Sequence, residues 1–347
     1  MEFKSCYLMG HGISIEEKII RNCCLATPTN AETPVLLKNY DPENIDWETL
    51  FKTKKEFREQ QKISELEGCK GCYNLETVDW DENKYISHIN FNHWKNCNSR
   101  CIYCYTRNMV YPQHNNIYES IKKLVNSEYF KEGGEITFQG GEPTILEEFD
   151  DLVDLFIQKN TKMRVHSSGI HFSYKAAHGI HTGLLTIVIS IDAGTPETYY
   201  KIKNVRSFNK VCENIKEYAK RLHETNKGHL KVKYIIVPGI NDSVEEIDKW
   251  FDIVTESKVK DVIVDVEYSY ARQNLNSISE HVYLLMDYIK YRAEKAGITF
   301  DTYDSAIYAL KSRTIKEQKQ LLKHKLLYKL LVNYYKKKNQ NKNLKYT

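Results

Sequence analysis

Between residues 84 and 268 the chain alternates short β-branched, apolar runs with longer stretches in which apolar residues recur every three or four positions. Runs of the first kind predict strands, and recurrence of the second kind predicts helices with one buried face. The strands expected on this basis are 85–91, 135–139, 163–167, 185–192, 232–237 and 262–267. The helices between and after them are 117–126, 147–160, 173–179, 196–224, 243–257 and 279–295. Thr195-Pro196 and Asp242-Ser243 supply helix starts, and Gly297 stands where the last helix stops. Strands alternating with helices in this way predict an α/β fold with a parallel sheet. Six such units predict a partial (β/α)6, TIM-like barrel, whose functional residues gather on loops at the C-terminal ends of the strands.

The flanks follow other patterns. Before residue 84, Gly12-Ile13-Ser14-Ile15 and Lys18-Ile19-Ile20 predict a short hairpin, and 47–66 a charged helix. Near the other end, Leu322, Leu326, Leu330 and Tyr334 follow at four-residue steps, with Leu327, Leu331 and Tyr335 beside them and Lys325, Lys329 and Lys336 opposite. That predicts a basic amphipathic helix, interrupted on its apolar side by Lys323. Three regions result: a cysteine-rich segment at 1–83, the barrel at 84–300 and a C-terminal extension with the basic helix at 301–347.

Charge locates itself in the same way. The net charge of the 347 residues is +4, but from Lys311 onward twelve Lys or Arg face one acidic residue, Glu317, so the body preceding the tail is acidic. Peripheral contact with an anionic membrane is one expectation for the tail, and docking on a partner or on the barrel is another. No nucleic-acid-reading motif accompanies the lysines, so no nucleic acid partner is expected. Apolar residues at 41% and charged residues at 28% fit a folded chain with a real core. No run approaches the 18 or so apolar residues that would span a bilayer, and Met1-Glu2-Phe3-Lys4 does not open an export signal. A cytoplasmic location is the expectation.

Nine cysteines in a reducing compartment point to metal or redox chemistry rather than to disulfides. Eight of them precede residue 105. Cys97, Cys101 and Cys104 form a C-x3-C-x2-C group directly after the first barrel strand. Closely spaced thiolates hold Fe–S clusters, and three ligands leave one iron of a cubane open to a small molecule. Structural zinc takes four protein ligands and would lack one here. Cys69-Lys70-Gly71-Cys72 is a C-x2-C pair, which Cys6 and one of Cys23 or Cys24 complete to four thiolates. Four thiolates suit a fully ligated second [4Fe–4S] cluster and suit zinc as well. Cys212, inside an apparent helix, reads as a small buried apolar residue.

The segment Cys97-Asn98-Ser99-Arg100-Cys101-Ile102-Tyr103-Cys104 resembles the cluster motif of the radical S-adenosylmethionine (SAM) superfamily, with Tyr103 at its aromatic position. Gly140-Gly141-Glu142-Pro143 follows the second barrel strand, where that family carries its GGEP motif. The resemblance covers roughly residues 84 to 300. It implies a [4Fe–4S] cluster on the three cysteines, with SAM on the open iron, and a reductant such as flavodoxin or ferredoxin. It also implies that Tyr103 lies near the adenine, that Gly140, Gly141, Glu142 and Pro143 border the SAM amino group, and that Ser168, Ser190 and Asp192 contact the ligand from the third and fourth strand ends. The five remaining N-terminal cysteines resemble the auxiliary-cluster modules of the SPASM and twitch families, with the departure that they precede the barrel.

The implied reaction is reductive cleavage of SAM to a 5′-deoxyadenosyl radical, which takes hydrogen from an unactivated C–H; the cofactors supply that step and the protein supplies geometry. No catalytic acid or base is singled out. Asp265, Glu267, Tyr268, Tyr270 and Arg272, after the sixth strand, are expected at the substrate mouth. Such side chains suit a small polar substrate, with a sugar or sugar nucleotide of glycan biosynthesis as the first expectation. Peptide or protein modification, as by a maturase of ribosomally made peptides or a glycyl-radical activase, is the alternative.

Overall fold

In the computed structural model the described residues are 4–23, 33–70, 72, 74–77, 85–104, 107, 116–225, 227–267 and 279–302. Ten strands join in one sheet. They are β1 (Gly12–Glu16), β2 (Ile19–Arg21), β3 (Val35–Lys38), β4 (Ile86–Asn92), β5 (Phe130–Phe138), β6 (Lys162–Ser167), β7 (Leu185–Ser190), β8 (His229–Ile236), β9 (Asp261–Val266) and β10 (Thr299–Thr302). Their order is β10-β9-β8-β7-β6-β5-β4-β1-β2-β3. Neighbours from β10 through β4 to β1 are parallel, and β2 and β3 complete an antiparallel edge.

The helices are α1 (Tyr7–His11), α2 (Trp47–Ile63), α3 (Tyr118–Val125), α4 (Phe149–Gln158), α5 (Tyr174–Thr182), α6 (Pro196–Lys203), α7 (Phe208–Thr225), α8 (Val244–Glu256) and α9 (Glu280–Ala296). Helix α5 begins where Ser173 Oγ accepts from the Ala176 N–H at 3.0 Å, and it ends at Gly183 in the left-handed region, φ 88°. Helix α8 begins at Ser243, whose Oγ accepts from the Glu246 N–H at 3.2 Å. The single helix expected over 196–224 is two. Asn204 takes φ 55° and closes α6, since Asn tolerates the left-handed region, and the chain restarts at Phe208.

Every strand of the parallel sheet has two unlike faces. On β8, Leu230, Val232, Tyr234 and Ile236 are buried, while Lys231, Lys233 and Ile235 alternate with them. The buried set packs in one core with Trp250 and Phe251 of α8 and Ile215 and Tyr218 of α7. Nearer β4, Phe91 and Phe138 stack at 5.0 Å, and Phe149 meets Phe138 edge-on at 5.3 Å. Parallel sheets covered on both sides read as continuous apolar runs. Here the register carries a polar stripe across the opposite face: Asn90 beside Thr137, Thr137 beside Arg164, His166 beside Val188, Ser190 beside Lys233 and Ile235 beside Asp265.

The N-terminal segment does not stand apart from the barrel strands. β1 lies parallel to β4 and extends the sheet, covering backbone groups that would otherwise form an open edge. Asn90 Nδ2 donates to Ser14 Oγ at 3.0 Å across this seam. α1 sits at the start of β4, where Tyr7 Oη and Ser87 Oγ are 2.6 Å apart. The basic helix expected beyond residue 311 lies outside the described residues. Among the described residues no helix is long and apolar enough to cross a membrane.

Candidate active site

The loop that follows β4 carries the three-thiol group, and two sets of backbone hydrogen bonds pin it. On one side the Gly141 N–H donates to Trp94 O at 2.7 Å and the Glu142 N–H to Asn96 O at 2.8 Å. On the other, the Arg100 N–H donates to Lys203 O and the Ile102 N–H to Ile202 O, both at 2.9 Å. The first contact requires glycine. A Cβ on Gly141 would stand 2.1 Å from Asn96 O, and Gly140 has φ 105°. Ser99 Oγ lies 3.3 Å from Cys97 Sγ and 3.6 Å from Cys101 Sγ. Cys97 is exposed, and Cys101 and Cys104 are partly buried.

Beneath the loop is a buried triad. Tyr103 Oη donates to Asp192 Oδ2 at 2.5 Å, and Lys203 Nζ donates to the same oxygen at 2.5 Å and to Tyr103 Oη at 2.8 Å. Asp192 is fully buried, at φ 53° just past β7. Its other oxygen accepts from the Ile235 N–H at 2.7 Å. Burial works against the Lys203 ammonium, but Asp192, Cys101 and Tyr103 together outweigh it, so the pKa is held well above the ordinary lysine value. Burial and Asp192 together raise the Tyr103 phenol, which stays protonated. Asn241, also fully buried, donates to Asp192 O at 2.9 Å and to Ile235 O at 2.8 Å, closing the turn after β8 onto the triad. The sequence reading did not single out Lys203.

Glu142 is committed inside the chain as well. Its Oε1 accepts from Thr144 Oγ1 at 2.7 Å and Ser167 Oγ at 2.9 Å, and its Oε2 from the Ser168 N–H at 2.6 Å. The carboxylate therefore ties the end of β5 to the end of β6, and Pro143 begins the short 3-10 turn between them. Ser168 Oγ donates to Asn98 Oδ1 at 2.8 Å, bringing the cysteine loop against β6. Ser190 is half-buried on the polar face, in register with Lys233. Of the expected ligand contacts, Tyr103, Glu142 and Asp192 are thus occupied by partners within the chain. Gly140, Gly141, Ser168 and Ser190 line the same end of the sheet.

The polar face adjoins this end. Burial, then Lys233 and Arg164, pull His166 down to about 3, so its ring is neutral at pH 7. Burial lowers Lys233 from the ordinary lysine value, and Asp265, buried at the end of β9, opposes that shift without cancelling it. The Glu267 N–H donates to Ile236 O at 2.9 Å. Tyr268, Tyr270 and Arg272 lie outside the described residues.

The other thiols gather at the opposite end of the strands. Cys6 caps α1, its Sγ accepting from the Met9 N–H at 3.3 Å. Paired backbone hydrogen bonds of 2.8 Å between Ser5 and Glu76 bring Cys6 beside the turn that holds Cys69 and Cys72. Cys23 follows β2, next to Asn22. Burial, then Cys23, Cys6 and Cys72, push the Cys69 thiol up to about 12, so all four lie within electrostatic reach of one another. Cys24 lies outside the described residues. Cys212 is partly buried against the core, in keeping with a packing role. Among the described residues no three His, Cys, Asp or Glu side chains are already closed to metal-ligating distance. Both thiol groups nevertheless offer the donor chemistry of Fe–S ligation, three thiols on one loop and four from three segments.

The sequence profile of the Radical SAM superfamily matches residues 91–251, from the end of β4 to α8. A GTP 3′,8-cyclase of Clostridium botulinum is 30% identical over 162 residues, 45% of this chain and 49% of that protein. The GTP 3′,8-cyclase of Clostridium acetobutylicum is 27% identical over 168 residues, 47% of this chain and 51% of that protein. The chain therefore spans about half the length of the curated relatives it matches. Among solved structures, Streptococcus suis SuiB bound to S-adenosylmethionine aligns at TM-score 0.49 and 16% identity, over 74% of this chain and 56% of that one.

Proposed function

We propose, on the premise that residues 91–251 are a radical SAM domain, that this chain cleaves SAM reductively at the Cys97, Cys101 and Cys104 loop and abstracts hydrogen from a polar substrate. The observation that carries the proposal is the three-thiol loop, with Cys97 exposed, locked at the C-terminal ends of the strands beside the polar face. A [4Fe–4S] cluster on those thiols, with SAM on its open iron, supplies when bound the one-electron cleavage and the hydrogen abstraction that follows. The chain's own residues hold the geometry. Ser99 sits between two of the thiols, and the Lys203–Asp192–Tyr103 triad and the Glu142 clamp fix the loop from below and from the side. No proton needs to move on these groups.

On the substrate side, neutral His166 can donate or accept a hydrogen bond, and Lys233 and Asp265 present both charges. That balance suits a polar molecule with donors and acceptors. The relatives named GTP 3′,8-cyclase make a nucleotide the first class to try. We further read Cys6, Cys23, Cys69 and Cys72 as the ligands of a second Fe–S cluster.

The test is anaerobic. Reconstituted, reduced protein is expected to convert SAM to 5′-deoxyadenosine and methionine, and the variant with Cys97, Cys101 and Cys104 all changed to Ala is expected to make none. Undiminished cleavage by that variant sinks the proposal. Deuterium carried from a labelled nucleotide into 5′-deoxyadenosine would identify the substrate class, whereas its absence with every nucleotide tried removes that class alone.

A further inference from the structure

Helix α2 buries an unusual stripe. Its residues hidden from solvent are Leu50, Lys54, Arg58 and Gln61, which recur at the spacing of one helix face. A surface helix ordinarily hides apolar side chains there. Lys54 is 6% exposed, and its Nζ donates to two neutral acceptors, Gly12 O at 2.8 Å and Asn22 Oδ1 at 2.7 Å. Gly12 starts β1, three positions beyond Met9 of the helix that Cys6 caps, with only Gly10 and His11 between, and Asn22 directly precedes Cys23. Gln61, two turns along the same face, donates to Lys4 O at 2.9 Å and accepts from the Leu66 N–H at 2.8 Å, holding the chain before Cys6 against the turn that leads to Cys69. Lys54 and Gln61 therefore bond to the chain beside Cys6, beside Cys23 and at the turn that leads to Cys69. A buried ammonium is costly without an anion, and no carboxylate among the described residues is bonded to Lys54.

We propose that Lys54 is the built-in countercharge of the metal centre formed by Cys6, Cys23, Cys69 and Cys72, and that it sets the reduction potential of that centre. This rests on the reading of those thiols as Fe–S ligands. Four thiolates around a cubane make an anionic centre that becomes more negative on reduction. A cation beside it favours the reduced form, so removing the cation lowers the potential; burial pulls Lys54 down to about 7, and the negative charge of Cys6 and Cys23 opposes that shift. The role is one of positioning charge: Lys54 touches neither SAM nor substrate.

The test uses the full chain carrying Cys97→Ala, Cys101→Ala and Cys104→Ala, which leaves only the second centre. After anaerobic reconstitution with iron and sulfide it is expected to hold about four irons. Its midpoint potential is then read by a dithionite titration followed by electron paramagnetic resonance. Adding Lys54→Met is expected to move the midpoint to a more negative value. Lys54→Gln, which keeps hydrogen-bond donors without charge, should move it likewise, and Lys54→Arg should leave it near the parent. If Met and Gln variants lose the iron while Arg retains it, the requirement for charge is equally supported. A Lys54→Met protein that melts earlier at an unchanged midpoint overturns the proposal, because Lys54 then only ties α2 to β1. Loss of iron from the Arg variant overturns it too. Zinc, or no metal, in the parent defeats the second-centre reading itself, and metal analysis shows this before any potential is measured.

Discussion

The two ends of the parallel sheet hold the same kind of side chain in opposite settings. At the C-terminal ends, three thiols sit within eight residues of one loop, Cys97 is exposed, and the charges beneath are paired inside the chain. At the N-terminal ends, four thiols come from three segments, Cys69 is buried, and among the described residues the buried Lys54 donates to two neutral acceptors. β4 has seven residues, so at about 3.3 Å each it sets the two ends roughly 20 Å apart. The difference separates an open site from a closed one. Three ligands on a solvent-facing loop leave a coordination position for a small molecule, whereas four from several segments fill the centre and bind those segments together. Function in barrel folds collects at the C-terminal face and stability at the other, and the proposed SAM-cleaving loop stands at the first of these.

The largest effect that would sharpen this comparison is expected from Lys203→Met. Lys203 and Asp192 are 3% and 0% exposed as side chains, and breaking a buried pair leaves an uncompensated charge at a cost of about 3–5 kcal/mol. Urea unfolding should show the loss. Iron bound by the three-thiol loop should fall, since Tyr103 and the Lys203 carbonyl both anchor that loop, while iron at the N-terminal thiols should stay. Equal loss at both ends would mean that the two ends are one cooperative unit and would break the comparison.

A smaller effect is expected from Gly141→Ala. The added methyl meets backbone atoms of Lys95 and Asn96, and overpacking of this kind costs about 1–3 kcal/mol. At the other end, Gly12→Ala meets first a Leu8 methyl at 2.9 Å, and next Leu8 O at 3.0 Å. The Leu8 side chain can turn away, so Gly12→Ala should be the milder change. Melting curves of the two variants, with iron content alongside, rank them, and a reversed order would refute the argument.

Much of this was legible in the sequence because the signals are local. The six barrel strands were found within a few residues of their places, since each alternates or runs apolar over a short span. Cys97, Cys101 and Cys104 stand out by spacing, and Gly140-Gly141 by its resemblance to the family motif. What escaped was non-local or disguised. β1 reads as half of a hairpin, and its parallel seam with β4 joins residues 76 apart in the chain. The start of β5 was missed because Lys131-Glu132-Gly133-Gly134-Glu135 is polar and glycine-rich, although it continues the strand. Lys203 stands in the last turn of α6, where a lysine is ordinary for its fit to the helix dipole, so nothing marked it as the partner of Asp192. Lys54 hid in the middle of a charged helix, where a lysine ordinarily faces solvent. Nothing marked His166 within its strand run, yet strand alternation puts it on the polar face.

The smallest expected effect concerns pH and distinguishes the two ends through a histidine at each. In the folded chain His166 is held down to about 3 by burial, then by Lys233 and Arg164, while in the unfolded chain it titrates near 6.5. Between those values the unfolded state binds the extra proton, so stability rises with pH across that range. The contribution is complete above pH 6.5 and is lost progressively as pH falls from there toward 3. At the other end, burial also lowers His11, but the Tyr85 carbonyl, 3.3 Å from its Nδ1, favours the charged form and opposes the shift. Urea midpoints measured at pH 7.5 and pH 5 should therefore fall less for His166→Gln than for the unaltered chain, and His11→Gln should reduce the fall by a smaller amount. Since carboxylates titrate in all three proteins alike, the comparison rests on the differences between them. Identical pH dependence in His166→Gln and the unaltered chain would show that His166 exchanges its proton freely, and that the polar face at the C-terminal ends is open to water around that ring.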